Sequence, residues 1–202
     1  MAQALSTEPK EAETAAKPVT SGTIDTDVHP YPNTIADLTP FLSSRWVQYI
    51  EQSGFKGPPG TQYPKGYEMA GRRDAWPPNG RRIGSDPDFS REQLLDHWNL
   101  RYAVLNPLYG HEKVHNDDFS IALASAINAW MSAMWLDNDD RWRGSISVTA
   151  NLPEAAAEEI RRVAKDPRYV QIIVTVRSES PYGKRIYHPI FEAACDVGLP
   201  VG

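Results

Sequence analysis

Hydrophobic spacing divides this chain in two. Up to about residue 90 apolar positions are scattered among glycine and proline; beyond it they recur at helical or strand periods. In the first part only Thr23–His29 alternates cleanly, with Thr23, Asp25, Asp27 and His29 on one face and Ile24, Thr26 and Val28 on the other. That is the two-residue period of a strand, and Pro30 stops it. Helical spacing follows within Ile35–Ser53, interrupted at Pro40 and ended near Gly54. Residues 54–90 are punctuated by glycine and proline and predict a long irregular excursion, the kind that forms lids and binding loops.

The second part predicts a short helix over Arg91–Trp98 and a strand over Arg101–Asn106, ended by Pro107. A helix capped by Asp117 or Asp118 follows, with Phe119, Ala122, Leu123, Ala126, Ile127, Trp130 and Met134 on its apolar face. Gly144–Ala150 reads as a strand. Asn151–Glu154 opens a helix that tolerates Pro153 in its first turn and buries Ala156, Ala157, Ile160, Val163 and Ala164. Tyr169–Val176 has the unbroken apolar character of a buried parallel strand. Tyr187–Val197 is a helix closed by Gly198, and Leu199–Gly202 begins another strand. Strands alternating with helices mean right-handed βαβ units and a parallel sheet. Both an open doubly wound sheet and the first half of a (β/α)8 barrel satisfy this order. No glycine-rich phosphate loop follows any strand, which weighs against nucleotide-binding sheets.

Composition narrows the function classes. The chain has 202 residues, 41% of them hydrophobic, enough for a real core. Residues 1–22, rich in Ala, Thr, Glu, Lys, Ser and Pro, are the exception and read as a disordered arm ahead of a 23–202 domain. The net charge of −5 disfavours a nucleic-acid partner. No run approaches 18 consecutive apolar residues, so no membrane span is expected. A single cysteine, Cys195, precludes an internal disulfide, and a cytoplasmic location is the expectation. Cys195 lies in a helical apolar pattern and is expected in the core.

Three segments carry candidate chemistry. Asp27 and His29 alternate at the end of the first strand, where β/α folds place their active sites, and can converge on one divalent ion such as zinc, manganese or iron(II). Arg72, Arg73 and Trp76, in the excursion with Arg81 and Arg82, can clamp a carboxylate and stack on a ring. His111-Glu112-Lys113-Val114-His115 spells the HExxH of zinc peptidases. Pro107 and Gly110 before it and a helix start after it place it in a loop, where that spacing has no geometry. His111 and His115 are therefore expected, at most, to touch substrate. His97 and His188 read as structural.

Several dispersed segments together resemble the amidohydrolase-related family of metal-dependent hydrolases. They are Ile24–Pro30, Asn128–Trp130 with Trp135-Leu136, Arg141–Ala150, Pro153–Ile160, and Tyr187–Ala194 ending in Gly198–Val201. The branch is that of aminocarboxymuconate semialdehyde decarboxylase and the resorcylate-type decarboxylases. The resemblance implies an α/β fold, the N-terminal half of a (β/α)8 TIM barrel with a long irregular insertion after strand 1. It also implies one divalent metal at the C-terminal mouth, zinc first, with manganese or iron as alternatives. The family's H-x-H is here Asp27-x-His29, and its later ligands, after strands five, six and eight, are absent from this chain. The function implied is hydrolysis or non-oxidative decarboxylation of a small carboxylate-bearing or aromatic substrate. The expected partners are that substrate and either copies of the complete chain or a second chain supplying the rest of the barrel. The alternative is a non-catalytic subunit pairing with a complete paralogue. The 202 residues alone are expected to be inactive.

Overall fold

The computed structural model describes residues 22–58, 71–175 and 178–202. Residues 1–21 of the proposed 1–22 arm, 59–70 of the predicted excursion, and Val176 of the fourth predicted strand lie outside them. Four parallel strands form one sheet in the order β1 (Ile24–Val28), β2 (Tyr102–Leu105), β3 (Trp142–Ser147) and β4 (Tyr169–Ile173). Each new strand lies outside its predecessor. An open doubly wound sheet reverses direction at a switch point, and this one does not. Val201 continues the progression, making a parallel bridge to Ile172. This is the N-terminal part of a (β/α)8 barrel.

The two sheet faces differ. Leu105, Ile146 and Ile172 are fully buried in the core shared with the helices. Their neighbours Asn106, Ser145 and Gln171 hydrogen-bond to one another on the opposite face. The helices are α1 (Ser44–Ser53), α2 (Pro87–Ser90), α3 (Asp117–Met131), α4 (Pro153–Val163) and α5 (His188–Val197). Pro40 splits the first predicted helix into two 3-10 turns, Ile35–Asp37 and Thr39–Phe41, ahead of α1. Gly54 then stops α1 at φ 65°. Trp46 and Tyr49 of α1, with Phe55 beyond it, stack 5.0–5.1 Å from the Phe119 ring at the start of α3.

Several expectations are corrected. The helix predicted at Arg91 begins at Pro87, where Asp86 caps it, and widens into a π-turn over Arg91–Asp96. The cap of α3 is Asn116, not Asp117 or Asp118; its side chain accepts from Phe119 N at 3.1 Å. A π-turn over Ser132–Leu136 extends α3. Its wider turn rotates the residues within it, so Trp135 enters the core while Met134 stands 45% exposed. Cys195 is exposed, because α5 faces the core through Ile190, Ala193 and Ala194. β3 starts two residues earlier and ends three earlier than its pattern suggested. β4 is buried only at Tyr169 and Ile172, not throughout. By length and hydropathy, Asp117–Leu136 would qualify as a membrane span. Here 61% of its most apolar window is buried inside the protein as a core helix.

Asn128 is the polar exception in α3. Its carboxamide donates to Ser147 O at 2.9 Å and accepts from Ser147 N at 2.9 Å. It thus replaces a neighbouring strand at the end of β3 and satisfies both backbone groups. At the opposite, N-terminal edge of the sheet two aspartates cap the backbone locally. Asp139 accepts from Arg141 N at 2.9 Å, and Asp166 from Arg168 N at 3.0 Å, just before β3 and β4. Arg141 then reaches Asp96 at 2.7 Å, and Arg168 reaches Asp137 at 2.5 Å, each at the end of an earlier helix.

Candidate active site at the mouth of strand one

β1 delivers Asp27 and His29 to the C-terminal edge of the sheet, where Pro30, lacking an N–H, ends the ladder. Asp27 Oδ1 and His29 Nε2 lie 3.3 Å apart, with the imidazole about half exposed and the carboxylate more so. The other imidazole nitrogen, Nδ1, is 3.0 Å from the Asn106 carbonyl oxygen. A carbonyl only accepts, so Nδ1 carries a proton, and in the neutral ring the Nε2 lone pair then faces Asp27. In that neutral state two lone-pair atoms face each other 3.3 Å apart. That arrangement suits a cation, and a backbone carbonyl orienting the far nitrogen is the usual support of a metal-binding histidine. A carboxylate oxygen and a neutral imidazole are donors for zinc, manganese or iron(II). Among the described residues no third His, Cys, Asp or Glu joins them.

The excursion returns to pin this corner. Gly84, at φ 72°, accepts from Tyr31 N at 2.7 Å. It lies so close to the His29 carbonyl that a Cβ on it would sit 2.4 Å from that oxygen. Arg82 N donates to Asn33 Oδ1 at 2.9 Å, a second tie between the excursion and the segment after β1.

The other expected contacts are dispersed. Arg72 is engaged bidentately by Asp74 at 2.7 and 3.0 Å, a pairing that holds the exposed guanidinium above and the carboxyl below their usual pKa. With Asp74, Ala75 and His97, Arg72 lines a groove of about 610 Å³ along the helix before β2. Arg73 opens a single 3-10 turn, and Trp76, 41% exposed, closes it. Among the described residues no hydrogen bond or ion pair joins these three to Asp27 or His29. His111–Lys113 is one 3-10 turn, so the HExxH spacing does not share a helical face. His111 is 2% exposed and His115 is exposed. Burial pulls the His111 pKa below its ordinary value, opposed in part by Glu112, the Val148 carbonyl and Glu159. Neither ring nitrogen has a hydrogen bond of good geometry; the Glu112 carboxylate is 3.9 Å from Nδ1.

Asn106, Ser145, Gln171 and Gly84 do not stand out in the sequence. A signal existed for two of them. Gln171 is the polar interruption in an apolar strand, and Ser145 alternates with Ile146 in β3. Asn106, beside Pro107, reads only as a strand stop.

A family model described as amidohydrolase matches residues 24–202, and the chain belongs to that family. Its fold is that of 5-carboxyvanillate decarboxylase from Novosphingobium aromaticivorans, solved with manganese and a nitrobenzoic acid, at TM-score 0.60 and 19% identity over 88% of this chain and 49% of that one. 2,6-Dihydroxybenzoate decarboxylase from Rhizobium gives 0.57 and 17% over 89% and 48%. A structure from Staphylococcus aureus described as an amidohydrolase gives 0.57 and 16% over 88% and 45%. The chain thus spans about half the length of these structures. No curated protein matches it.

Proposed function

We propose that Asp27 and His29 supply two ligands of a divalent-metal site in a non-oxidative carboxy-lyase acting on a small aromatic carboxylate. The observation that carries the metal reading is the His29 Nδ1 contact to the Asn106 carbonyl, which leaves Nε2 free beside Asp27. A carboxylate in place of a first histidine makes the donor set harder and favours manganese over zinc. Manganese in the Novosphingobium enzyme supports the same order. Decarboxylation is preferred to hydrolysis because two of the three structural relatives described are aromatic-acid decarboxylases. A bound divalent ion supplies Lewis acidity and a template for substrate oxygens. The chain's own contribution is to hold Asp27 and His29 in place and, through the Asn106 carbonyl, to put the neutral ring's proton on Nδ1. The remaining strands of the barrel, from a longer chain or a second one, would complete the donor set.

Manganese titration of this chain, followed by electron paramagnetic resonance, tests the metal site. Weak saturable binding is expected, lost in Asp27→Ala and in His29→Ala; binding unchanged in both variants, or none in the parent, overturns it. The reaction is tested on a chain carrying these residues together with the remaining barrel strands. Carbon dioxide release from hydroxybenzoates is expected. Amide or ester hydrolysis without it overturns the carboxy-lyase assignment.

A further inference from the structure

We infer that Asn106 is a positioning residue for the Asp27–His29 pair, fixing its geometry through a polar ladder across the sheet. The inference rests on the metal reading above, and extends it to residues that cannot reach the ion's two donors except through Asn106.

Asn106 is 6% exposed, and every polar group it owns is engaged. Its N–H donates to Val28 O at 2.6 Å and its C=O accepts from His29 Nδ1 at 3.0 Å. Its Nδ2 donates to Thr26 O at 2.9 Å and approaches Asp27 Oδ1 at 3.4 Å. Its Oδ1 accepts from Ser145 Oγ at 2.6 Å and from Gln171 Nε2 at 3.0 Å. Gln171 Nε2 also donates to Ser145 Oγ at 2.9 Å. The carboxamide cannot be turned over, because Thr26 offers only a carbonyl and so demands the Nδ2 side.

One residue therefore touches both donors, by different groups. Its backbone carbonyl sets which imidazole nitrogen is bare, and its side chain, tied to Thr26, Ser145 and Gln171, holds that carbonyl in place while restraining the carboxylate and the strand carrying it. The side chain is in turn held by β3 and β4. A strand end is otherwise free to fray; here the end of β1 is fixed by two strands it does not pair with. Outer partners of metal ligands typically change metal affinity ten- to a hundredfold when removed.

Asn106→Ala tests this in the full chain, with Gln171→Leu as a variant that touches neither donor. Two readouts are needed: manganese affinity, and the nitrogen-15 shifts of the metal-free His29 ring at pH 8.5, which report its tautomer. In the parent chain the Nδ1–H tautomer is expected to dominate. In Asn106→Ala the ring should become a mixture and manganese affinity fall about tenfold or more. Gln171→Leu should move both readouts the same way by less, which keeps the test alive if Asn106→Ala does not fold. A variant that only melts earlier, with tautomer and affinity unchanged, overturns the positioning role. So does a parent chain whose His29 carries its proton on Nε2. If the parent binds no manganese but its tautomer is locked and Asn106→Ala releases it, the metal reading fails and the positioning role stands.

Discussion

Gly84→Ala places a methyl group 2.4 Å from the His29 carbonyl oxygen, in a residue whose φ is +72°. Ordinary contact begins near 3.4 Å. The backbone must therefore separate by about 1 Å, at a point where Tyr31 N also bonds Gly84 O at 2.7 Å. The left-handed conformation costs a residue with a Cβ about 1–2 kcal/mol, and a forced shift in packed structure about 1–3 kcal/mol more. Gly80→Ala separates the two contributions. Gly80 has φ +78° and open space for 4 Å around the position a methyl would take, so it carries only the conformational part. Urea unfolding of both variants, with unchanged m-values, should show Gly84→Ala destabilised by about 1–3 kcal/mol beyond Gly80→Ala. Manganese binding should weaken in Gly84→Ala alone, since the shift moves His29 against the Asn106 carbonyl. Equal destabilisation in the two variants would refute the close-approach argument.

Other substitutions probe the frame around the site. Asn128→Leu leaves the N–H and C=O of Ser147 without partners; about 2–5 kcal/mol of stability should be lost in denaturant melts. His111 folds in its neutral form, whereas the unfolded chain takes up a proton below about pH 6.5. Stability should therefore fall as pH drops from there, by up to about 1.4 kcal/mol per unit from this group, and His111→Leu should flatten that limb. Asp139 and Asp166 are held below the usual carboxylate range, first by the hydrogen bonds from Arg141 and Arg168. Their contribution is complete above about pH 4 and is lost as pH falls through their lower folded values. Asp139→Asn with Asp166→Asn should be less stable at pH 7 and show a shallower acid limb. An acid profile parallel to the parent's would argue against these carboxylates.

The sequence determined the alternation of elements, because a strand or a helix declares itself through its own repeat and its own stop signals. Pro30, Pro107, Pro153, Gly54 and Gly198 act where they stand, so the elements they bound were legible. Asp27 and His29 were legible for the same reason: two residues apart on one strand, they share a face in any fold. Direction around the sheet was not, since local periodicity is identical in an open sheet and in a barrel. Only the observed order, each strand outside the last, decides between them. Met134 and Cys195 were misjudged because a π-turn and the docking of α5 rotate side chains by an amount no repeat records. Asn106 and Gly84 acquire their roles from partners far along the chain, 77 residues away for the contact of Asn106 with His29. Chain spacing presents the two donors. Whether they point at one another, and which nitrogen is bare, is settled by a carbonyl that the fold alone brings there.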